Sequence, residues 1–420
     1  MRRRIVIIGL DGVPYELIKD LTKRSIMSGM RDLIEQGSFL KMTSSIPEVS
    51  CVAWSSIITG KNPGEHGIFG FMDLWPNTYK LKFPQYNDLK AKPFWEILEE
   101  KKSVIINVPA TYPVREMNGV HISGFVSIDI EKSVYPASLI PKLKEMDYRL
   151  DVDSEKAHSS LDLFLDDLEK TLQARIKAYR YLWENYDWDI FMLVFTGTDR
   201  LMHFLWDAYE DENHKYHSAF LKHFQEIDKA ISEIKNRMND EDLLIMLSDH
   251  GFEKLESDVY INYLLREEGF LKFKDSDLSY ENIDSATKAF ALDPARIYIN
   301  LKGKYPAGCV EEKDREKVIE ELEELFRALS VNGQKVIKEV YRKEEIYSGP
   351  YIDDAPDLVL IAERGFNLKA NIRAESLLGK EIFTGKHSRD NAFILLKGKT
   401  DFFQHLKKAS LTDVFGVIVT

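Results

Sequence analysis

Short, continuous runs of branched apolar residues recur along this chain of 420 residues, and they restrict its fold more than any other feature. Runs of this kind are typical of central parallel strands that are covered on both faces. They lie at residues 5–10, 103–107, 188–195 and 242–247. Segments with helical spacing separate them, most clearly residues 161–185 and 217–238. The alternation predicts an α/β fold with a doubly wound, mostly parallel sheet flanked by helices.

The regular alternation of strands and helices stops after residue 252. Residues 296–301, 336–341 and 357–361 have strand patterns, and residues 311–329 have a helical pattern with charged faces that are typical of solvent exposure. We therefore expect residues 1–252 and 375–420 to form the α/β core. We expect residues 253–374 to form a smaller α+β insertion or cap, and one strand of this range is a candidate to return to the core sheet.

Composition excludes several classes of function. The net charge of −12 and the absence of a Lys/Arg run disfavour nucleic acid as the main partner. No segment approaches the roughly 20 apolar residues of a membrane span, and the apolar run after residues 1–4 is too short for a signal peptide. Cys51 and Cys309 cannot build a disulfide framework and fit a reducing compartment. We expect a cytoplasmic protein without a membrane partner, and the oligomeric state stays open.

Residues with metal-ligating side chains follow the ends of several predicted strands. Each has a plain alternative when it is taken alone, such as a turn aspartate before glycine or a surface pair at helical spacing. An aspartate and a histidine directly after a buried strand are harder to explain as structural residues, because burying both unpaired is costly. The ligand-type residues are Asp11, Asp199, His203, Asp249, His250 and His387.

Ser50 precedes an apolar, helix-like run that ends at Gly60. The start of a helix carries unpaired N–H groups and the positive end of the helix dipole, which favour an attacking oxyanion or a bound phosphoryl group. By itself the serine is better explained as an ordinary N-cap, because serine is among the commonest N-cap residues. Together with six ligand-type side chains, it supplies enough groups for two divalent ions that share one hydroxyl nucleophile.

An ordered set of motifs carries a family resemblance. The chain resembles the alkaline phosphatase superfamily, and within it the type I phosphodiesterase/nucleotide pyrophosphatase branch. This resemblance implies an alkaline-phosphatase-like core. The motifs are Ile8-Gly9-Leu10-Asp11-Gly12, Ser50 with Thr59-Gly60, residues 62–67, Asp199-x-x-x-His203, Ser248-Asp249-His250-Gly251 and Gly385-Lys386-His387.

The resemblance implies two divalent metal ions at one site. One ion would be held by Asp199, His203 and His387. The second would be held by Asp11, Asp249 and His250, with the Ser50 oxygen as a further ligand. Zinc is the metal that the resemblance implies, and the mixed carboxylate and imidazole ligands suit it; manganese and iron are alternatives.

The resemblance also implies a two-step reaction. Ser50 would attack phosphorus and form a covalent intermediate, which water would then hydrolyse. Backbone N–H groups of Cys51 and Val52 would hold the phosphoryl oxygens. Nucleotide pyrophosphatases carry an asparagine shortly after the His-Gly-Ile segment, but residues 69–73 contain none. The candidate substitutes for this anion contact are Lys61, Arg200, Lys386 and Arg389.

We expect metal-dependent hydrolysis of phosphoric esters, with phosphodiester or nucleotide pyrophosphate bonds in a small-molecule substrate as the first choice. A phosphomonoesterase and a phosphotransferase or mutase of the same superfamily stay open, because they would use the same metals. A non-catalytic metal-binding scaffold is a further alternative. A sulfatase is excluded, since the segment around Ser50 and Cys51 lacks the Cys/Ser-x-Pro-x-Arg motif.

Overall fold

The computed structural model describes residues 3–398 and 408–420. Contacts between residues divide the chain into two units. The first unit comprises Met1–Lys61, Gln85–Glu253 and His387–Thr420, and the second comprises Asn62–Pro84 and Lys254–Lys386. The second unit thus includes a segment that precedes residue 252, and it extends beyond residue 374. Among the described residues, no helix combines the length and the apolar character needed to cross a membrane.

Strands and helices are numbered along the whole chain. The strands are β1 (Ile5–Leu10), β2 (Ser38–Thr43), β3 (Asp73–Leu74), β4 (Leu81–Lys82), β5 (Ser103–Val108), β6 (Gly119–Ser123), β7 (Val134–Tyr135), β8 (Ile190–Phe195), β9 (Leu243–Leu247), β10 (Gly251–Lys254), β11 (Ser257–Tyr260), β12 (Ala289–Leu292), β13 (Arg296–Ile299), β14 (Ser330–Val331), β15 (Gln334–Lys335), β16 (Ile337–Arg342), β17 (Leu358–Ala362), β18 (Phe366–Lys369), β19 (Leu378–Gly379), β20 (Gly385–Ser388), β21 (Ala392–Lys397) and β22 (Ala409–Ser410). The α-helices are α1 (Tyr15–Lys23), α2 (Ser28–Gln36), α3 (Ser50–Thr59), α4 (Pro63–His66), α5 (Phe94–Ile97), α6 (Ile130–Ser133), α7 (Ile140–Glu145), α8 (Glu155–Ser159), α9 (Leu161–Asn185), α10 (Gly197–Glu210), α11 (His217–Arg237), α12 (Ile261–Glu267), α13 (Arg315–Ala328), α14 (Lys343–Ile346) and α15 (Asp413–Val419).

A large sheet organises the first unit. Its strand order is β22-β2-β21-β9-β1-β8-β5-β6-β7. The five strands β9, β1, β8, β5 and β6 run parallel, while β21 is antiparallel to β9 and to β2, and β7 is antiparallel to β6. Every side chain of β5, β8 and β9 is buried, as expected for strands with both faces covered. The predicted α/β class with a mostly parallel sheet is confirmed.

Long amphipathic helices flank this sheet. Helix α9 has the bounds that the sequence pattern predicts, and it buries residues such as Phe164, Leu168 and Leu172 at four-residue spacing. Helix α11 ends one residue earlier than predicted. Residues 93–100 also have a pattern that predicts a helix, but α5 spans only Phe94–Ile97 before Leu98 leaves the helical conformation.

The second unit is built from small sheets and short helices. Its largest sheet has four strands in the order β12-β13-β17-β16, all antiparallel. Helix α13 covers part of the core of this unit with Val318, Leu322 and Phe326. No strand that the structure describes within residues 253–374 joins the large sheet, and β17 shows why. It pairs with β13 and β16 because its register places Leu358 and Leu360 in the core of this unit.

Candidate active site

Three adjacent parallel strands bring the acidic residues together. Strand β1 lies between β8 and β9, with Leu10 opposite Phe195 and Gly9 opposite Leu247. Asp11 follows β1 directly, Asp249 follows β9 after one residue, and Asp199 lies in the first turn of α10 after β8. The carboxyl ends of parallel strands meet at one edge, which is where α/β folds bind ligands. The three carboxylates therefore converge, although their positions span almost 240 residues of sequence.

Six predicted ligand residues form two neighbouring clusters. We call Asp11, Asp249 and His250 the carboxylate-rich cluster. Asp199, His203 and His387 form the histidine-rich cluster. Within each cluster the ligand atoms lie within 4.8 Å of one another. The clusters adjoin, because the rings of His250 and His387 stack with centroids 3.7 Å apart and His250 Nε2 lies 3.9 Å from Asp199 Oδ1.

Backbone carbonyl groups orient two of the histidines. His387 Nδ1 lies 2.9 Å from the carbonyl oxygen of Glu48, and His250 Nδ1 lies 3.0 Å from that of Gly251. A hydrogen on each Nδ1 then leaves the Nε2 lone pairs directed into the site, as in histidines that bind metals. Phe252 packs its ring edge-on against His203 and His387, with centroid distances of 4.8 and 5.3 Å. These contacts hold the imidazole rings in place before any ligand binds.

Ser50 is the first residue of α3, and its hydroxyl faces the carboxylate-rich cluster. Ser50 Oγ lies 3.2 Å from His250 Nε2 and donates to Asp11 Oδ1 at 3.4 Å. The residue that precedes the helix is Val49, and no side chain caps the helix. The explanation of Ser50 as an ordinary N-cap is therefore wrong, because its hydroxyl contacts ligand-type side chains and not the backbone of α3.

Two hydrogen bonds to Asp11 and Asp249 were not predicted from the sequence. The indole Nε1 of Trp54 donates to Asp11 Oδ1 at 3.1 Å, and the N–H of Gly12 donates to Asp249 Oδ1 at 3.0 Å. Trp54 is fully buried in the core, and it also fixes the carboxylate of Asp11. Its position one helical turn after Ser50 is the signal that could have revealed this contact.

Arg200 connects the histidine-rich cluster to a residue that the sequence did not single out. Its guanidinium donates to Asp199 Oδ2 at 2.6 Å and to Asp151 Oδ2 at 3.0 Å. The guanidinium carbon also lies 4.2 Å from the centroid of the Phe125 ring. Because Arg200 already binds two carboxylates and an aromatic ring, its geometry is that of a support for Asp199.

The other residues that were predicted to contact the substrate lie at several separate positions in the chain. Cys51 is buried in α3, and burial, reinforced by the charge of Asp11, raises the pKa of its thiol to about 12. The N–H of Val52 donates to the carbonyl of Val49 at 3.0 Å, so it is not available as an oxyanion donor. Arg389 lies between β20 and β21 in the first unit. Lys61 is the last residue of the segment Met1–Lys61, and Lys386 is the last residue of the second unit.

Both clusters fit divalent cations. Asp249 Oδ2 is buried and has no hydrogen-bond partner among the described residues. Burial and the neighbouring charges of Asp249 and Asp199 raise the pKa of Asp11 well above its usual range, which indicates an excess of negative charge without a cation. In the histidine-rich cluster, His203 Nε2 and His387 Nε2 lie 3.0 Å apart. Burial lowers the pKa of His203 to about 3, so its imidazole is neutral and able to ligate.

Solved structures with related folds cover nearly the whole chain. Phosphonoacetate hydrolase from Sinorhizobium meliloti, in complex with phosphonoformate, has a TM-score of 0.66 at 15% identity, and the match covers 100% of this chain and 95% of that chain. Human ectonucleotide pyrophosphatase/phosphodiesterase 5 has a TM-score of 0.57 at 13% identity, covering 99% and 94%. An inactive variant of the murine protein, in complex with AMP, has a TM-score of 0.56 at 14% identity, also covering 99% and 94%. No curated protein matches this chain.

The large sheet, with two ligand clusters at one edge, defines a member of the alkaline phosphatase superfamily. Residues 5–390 match the family model of type I phosphodiesterase/nucleotide pyrophosphatase. The chain therefore belongs to that family, and it is an enzyme of the phosphoric ester hydrolase class.

Proposed function

We propose that this enzyme hydrolyses phosphodiester or nucleotide pyrophosphate bonds in small molecules through a covalent Ser50 intermediate at a two-metal site. The observation that carries the proposal is the position of Ser50 Oγ beside His250 and Asp11, next to the second cluster around Asp199. A hydroxyl at the start of a helix and two ligand triads are the parts that phosphoryl transfer to a hydroxyl requires.

The residues of each cluster have separate tasks in this proposal. Asp11, Asp249 and His250 would hold one cation, and Asp199, His203 and His387 the other. When bound, the two cations favour the ionised form of a hydroxyl and neutralise charge on the phosphoryl oxygens. The mixed carboxylate and imidazole donors support zinc as the metal.

Ser50 is the proposed nucleophile. Its Oγ forms a bond to phosphorus as the bond to the leaving oxygen breaks, and the hydroxyl proton ends on the leaving group or in solvent. Water then attacks phosphorus, the bond from Ser50 Oγ breaks, and the hydroxyl is restored. Cys51 is a poor alternative nucleophile, because its thiol stays protonated in its buried position.

The substrate anion would meet the start of α3. The N–H of Cys51 lies in the first turn of this helix, where N–H groups and the helix dipole favour a phosphoryl oxygen. Arg200 would support Asp199 and not touch the substrate, since two carboxylates already occupy its guanidinium. Lys386 and Arg389 flank His387 in the sequence, and we propose them as contacts for a charged group of the substrate.

We also propose a cytoplasmic location. The chain has two cysteines, Cys51 and Cys309, and the structure leaves both as free thiols. Free thiols, one of them exposed, fit a reducing compartment.

The test compares the wild-type enzyme with Ser50→Ala and Ser55→Ala. Ser55 is a matched control, because it is a buried serine of the same helix whose hydroxyl donates to the carbonyl of Cys51 at 2.6 Å. We expect turnover of bis-p-nitrophenyl phosphate to exceed that of p-nitrophenyl phosphate. Ser50→Ala should lower diester turnover by about 10⁴-fold or more, as loss of a nucleophile does in other hydrolases, while Ser55→Ala should stay near the wild-type rate.

Two further measurements separate the alternatives. Chelator treatment should abolish turnover, and zinc should restore it. Turnover of p-nitrophenyl phosphate in excess glycerol separates hydrolysis from transfer, because a phosphotransferase would yield glycerol phosphate in place of inorganic phosphate. Full activity in Ser50→Ala, or in the chelated protein, would contradict the mechanism. A monoester preference would move the assignment to a phosphomonoesterase.

A further inference from the structure

A small buried cavity lies in the first unit, beneath the start of α10. The space open to the centre of a water-sized sphere is about 10 Å³, so the cavity has room for one water molecule or one somewhat larger ion. Apolar side chains such as Leu168, Leu172 and Phe195 form part of its wall, and Gly197, the first residue of α10, closes one side. None of these residues belongs to the two clusters, so the cavity is a separate feature of the core.

Three polar side chains also line the cavity. Thr171 and Arg175 lie one turn apart on α9, and His223 comes from α11. Their exposed fractions are 2%, 2% and 4%. Thr171 Oγ1, Arg175 Nε and His223 Nε2 have no hydrogen-bond partner among the described residues. Each unsatisfied buried group of this kind costs about 1–3 kcal/mol, so three beside one cavity indicate a bound partner.

The charge of Arg175 indicates what kind of partner this is. Arg175 Nη1 donates to Thr196 Oγ1 at 2.9 Å, and Arg175 Nη2 donates to the carbonyl of Leu150 at 3.2 Å. Both acceptors are neutral, and no carboxylate in residues 3–398 or 408–420 forms an ion pair with this guanidinium. Asp151 accepts a hydrogen bond from Thr196 and not from Arg175 itself. A buried guanidinium that reaches a carboxylate only through a hydroxyl is costly, because it has lost its hydration without forming an ion pair.

We propose that the cavity binds one small monatomic anion, with chloride as the physiological candidate. Arg175 Nε, Thr171 Oγ1 and His223 Nε2 would each donate a hydrogen bond to the ion, and the start of α10 would add the positive end of its dipole. Burial, followed by the charge of Arg175, lowers the pKa of His223 to about 3, so the imidazole is neutral and Nε2 can carry a hydrogen as a donor. Water would satisfy some of these donors but would bring no negative charge into direct contact with the guanidinium.

Bound chloride would stabilise the folded enzyme by mass action. At a chloride concentration ten times the dissociation constant, the ratio of folded to unfolded protein rises about 11-fold. The effect does not depend on turnover or on metal content, so this proposal and the proposed phosphodiesterase activity can fail separately.

The experiment measures thermal unfolding of the full chain in sodium chloride and in sodium gluconate at equal ionic strength. We expect a higher Tm in chloride, saturating with concentration. Diffraction from crystals grown with chloride, at a long wavelength where chlorine scatters anomalously and water oxygen does not, should give a peak beside Arg175. Equal Tm values with no anomalous peak would overturn the proposal and leave the cavity to water.

Two variants locate the effect. Thr171→Val removes one donor with little change of shape. It should raise about tenfold the chloride concentration at which half of the increase in Tm is reached, as expected for the loss of one hydrogen bond worth about 1.4 kcal/mol. Thr22→Val is the matched control, because Thr22 is a buried helical threonine whose hydroxyl donates to the carbonyl of Ile18. Equal chloride dependence in both variants would contradict the site. Arg175→Met should abolish the dependence if it folds, and Thr171→Val decides the question if it does not.

Discussion

The two ligand clusters differ in burial and in the balance of their charges. In the carboxylate-rich cluster Asp11, Asp249 and His250 are all buried, and two carboxylates face one imidazole. In the histidine-rich cluster one carboxylate faces two imidazoles, and the side chains of His203 and His387 are 19% and 20% exposed. One cluster is thus closed and negative, while the other is open and closer to neutral.

Arg200 adds to this difference. It neutralises Asp199 through Oδ2 and leaves Oδ1 facing His387 at 3.1 Å. In the carboxylate-rich cluster, by contrast, Trp54 and Gly12 donate only neutral hydrogen bonds to Asp11 and Asp249. Uncompensated carboxylates in a buried site attract a cation strongly. We therefore expect the carboxylate-rich cluster to bind its metal more tightly, and the histidine-rich cluster to exchange its metal and admit solvent more readily.

Asp249→Asn tests the expected tighter metal binding at the carboxylate-rich cluster. Removing one carboxylate charge from the carboxylate-rich cluster should lower metal affinity there by more than about 100-fold, because losses of more distant supporting groups already cost 10–100-fold. Diester turnover should fall at least as much. His203→Gln should instead spare the tighter of the two binding events. Calorimetric titration of the metal-free protein with Zn²⁺ measures both.

The control for this titration is Asp242→Asn. Asp242 is a buried aspartate that immediately precedes β9, at the end opposite Asp249, and it accepts hydrogen bonds from Arg4. Its loss should cost stability and leave Zn²⁺ binding unchanged. If His203→Gln removed the tighter binding event and Asp249→Asn spared it, the ranking of the two clusters would be reversed.

Asp151→Asn tests how Arg200 supports metal binding at the histidine-rich cluster. In the part of the chain that the structure describes, Asp151 forms no hydrogen bond to a ligand residue, but it holds the guanidinium that fixes Asp199. We expect metal affinity at the histidine-rich cluster to fall about 30-fold, within the 10–100-fold range of such supporting groups. The control is Asp167→Asn, since Asp167 is a buried aspartate that pairs with Arg149 and Lys156 instead. A loss confined to the carboxylate-rich cluster would show that Arg200 does not support Asp199.

The ligand residues could be predicted because each follows a simple pattern. Asp11 and Asp249 follow continuous apolar runs, and such runs become neighbouring parallel strands whose ends coincide. A single run does not show which strands it will pair with. The strand ends come together whenever the runs occupy the centre of one sheet. The resemblance of the ordered motifs then indicated which residues share an ion.

Supporting residues could not be predicted in the same way. Asp151 lies in a stretch without strand or helix periodicity, and only tertiary packing brings it to Arg200. The segment Asn62–Pro84 leaves the first unit after α3 and joins the second unit, although its sequence neighbours on both sides belong to the first. Its turn residues predict a change of direction but not the unit that receives it. Strand β17 shows the same limit, because the pattern of a buried strand does not indicate which sheet it joins.

Trp54→Phe probes the neutral hydrogen bonds of the carboxylate-rich cluster. The substitution keeps an aromatic ring but removes the N–H that reaches Asp11 Oδ1. Hydrogen bonds to charged groups contribute about 1.5–3 kcal/mol, so kcat should fall about tenfold while Asp11 retains its charge. Trp95→Phe is the matched control, because Trp95 is a buried tryptophan whose Nε1 donates to the hydroxyl of Tyr86 at 3.0 Å. Equal losses of kcat in both variants would indicate a packing effect and not an effect on Asp11.

Cys51→Ala should have the smallest effect of all, because the proposed role of Cys51 lies in its backbone N–H. The thiol is buried beside Ser50, and alanine retains the N–H at the start of α3 while removing only the sulfur. Truncation of a small buried side chain lowers the free energy of unfolding by about 1 kcal/mol. It removes no contact with the carboxylate-rich cluster. Diester turnover should therefore stay within about twofold of the wild type, and Tm should fall by a few degrees. A large loss of turnover at unchanged metal content would mean that the sulfur itself takes part, and the division of tasks between Ser50 and its neighbour would have to be redrawn.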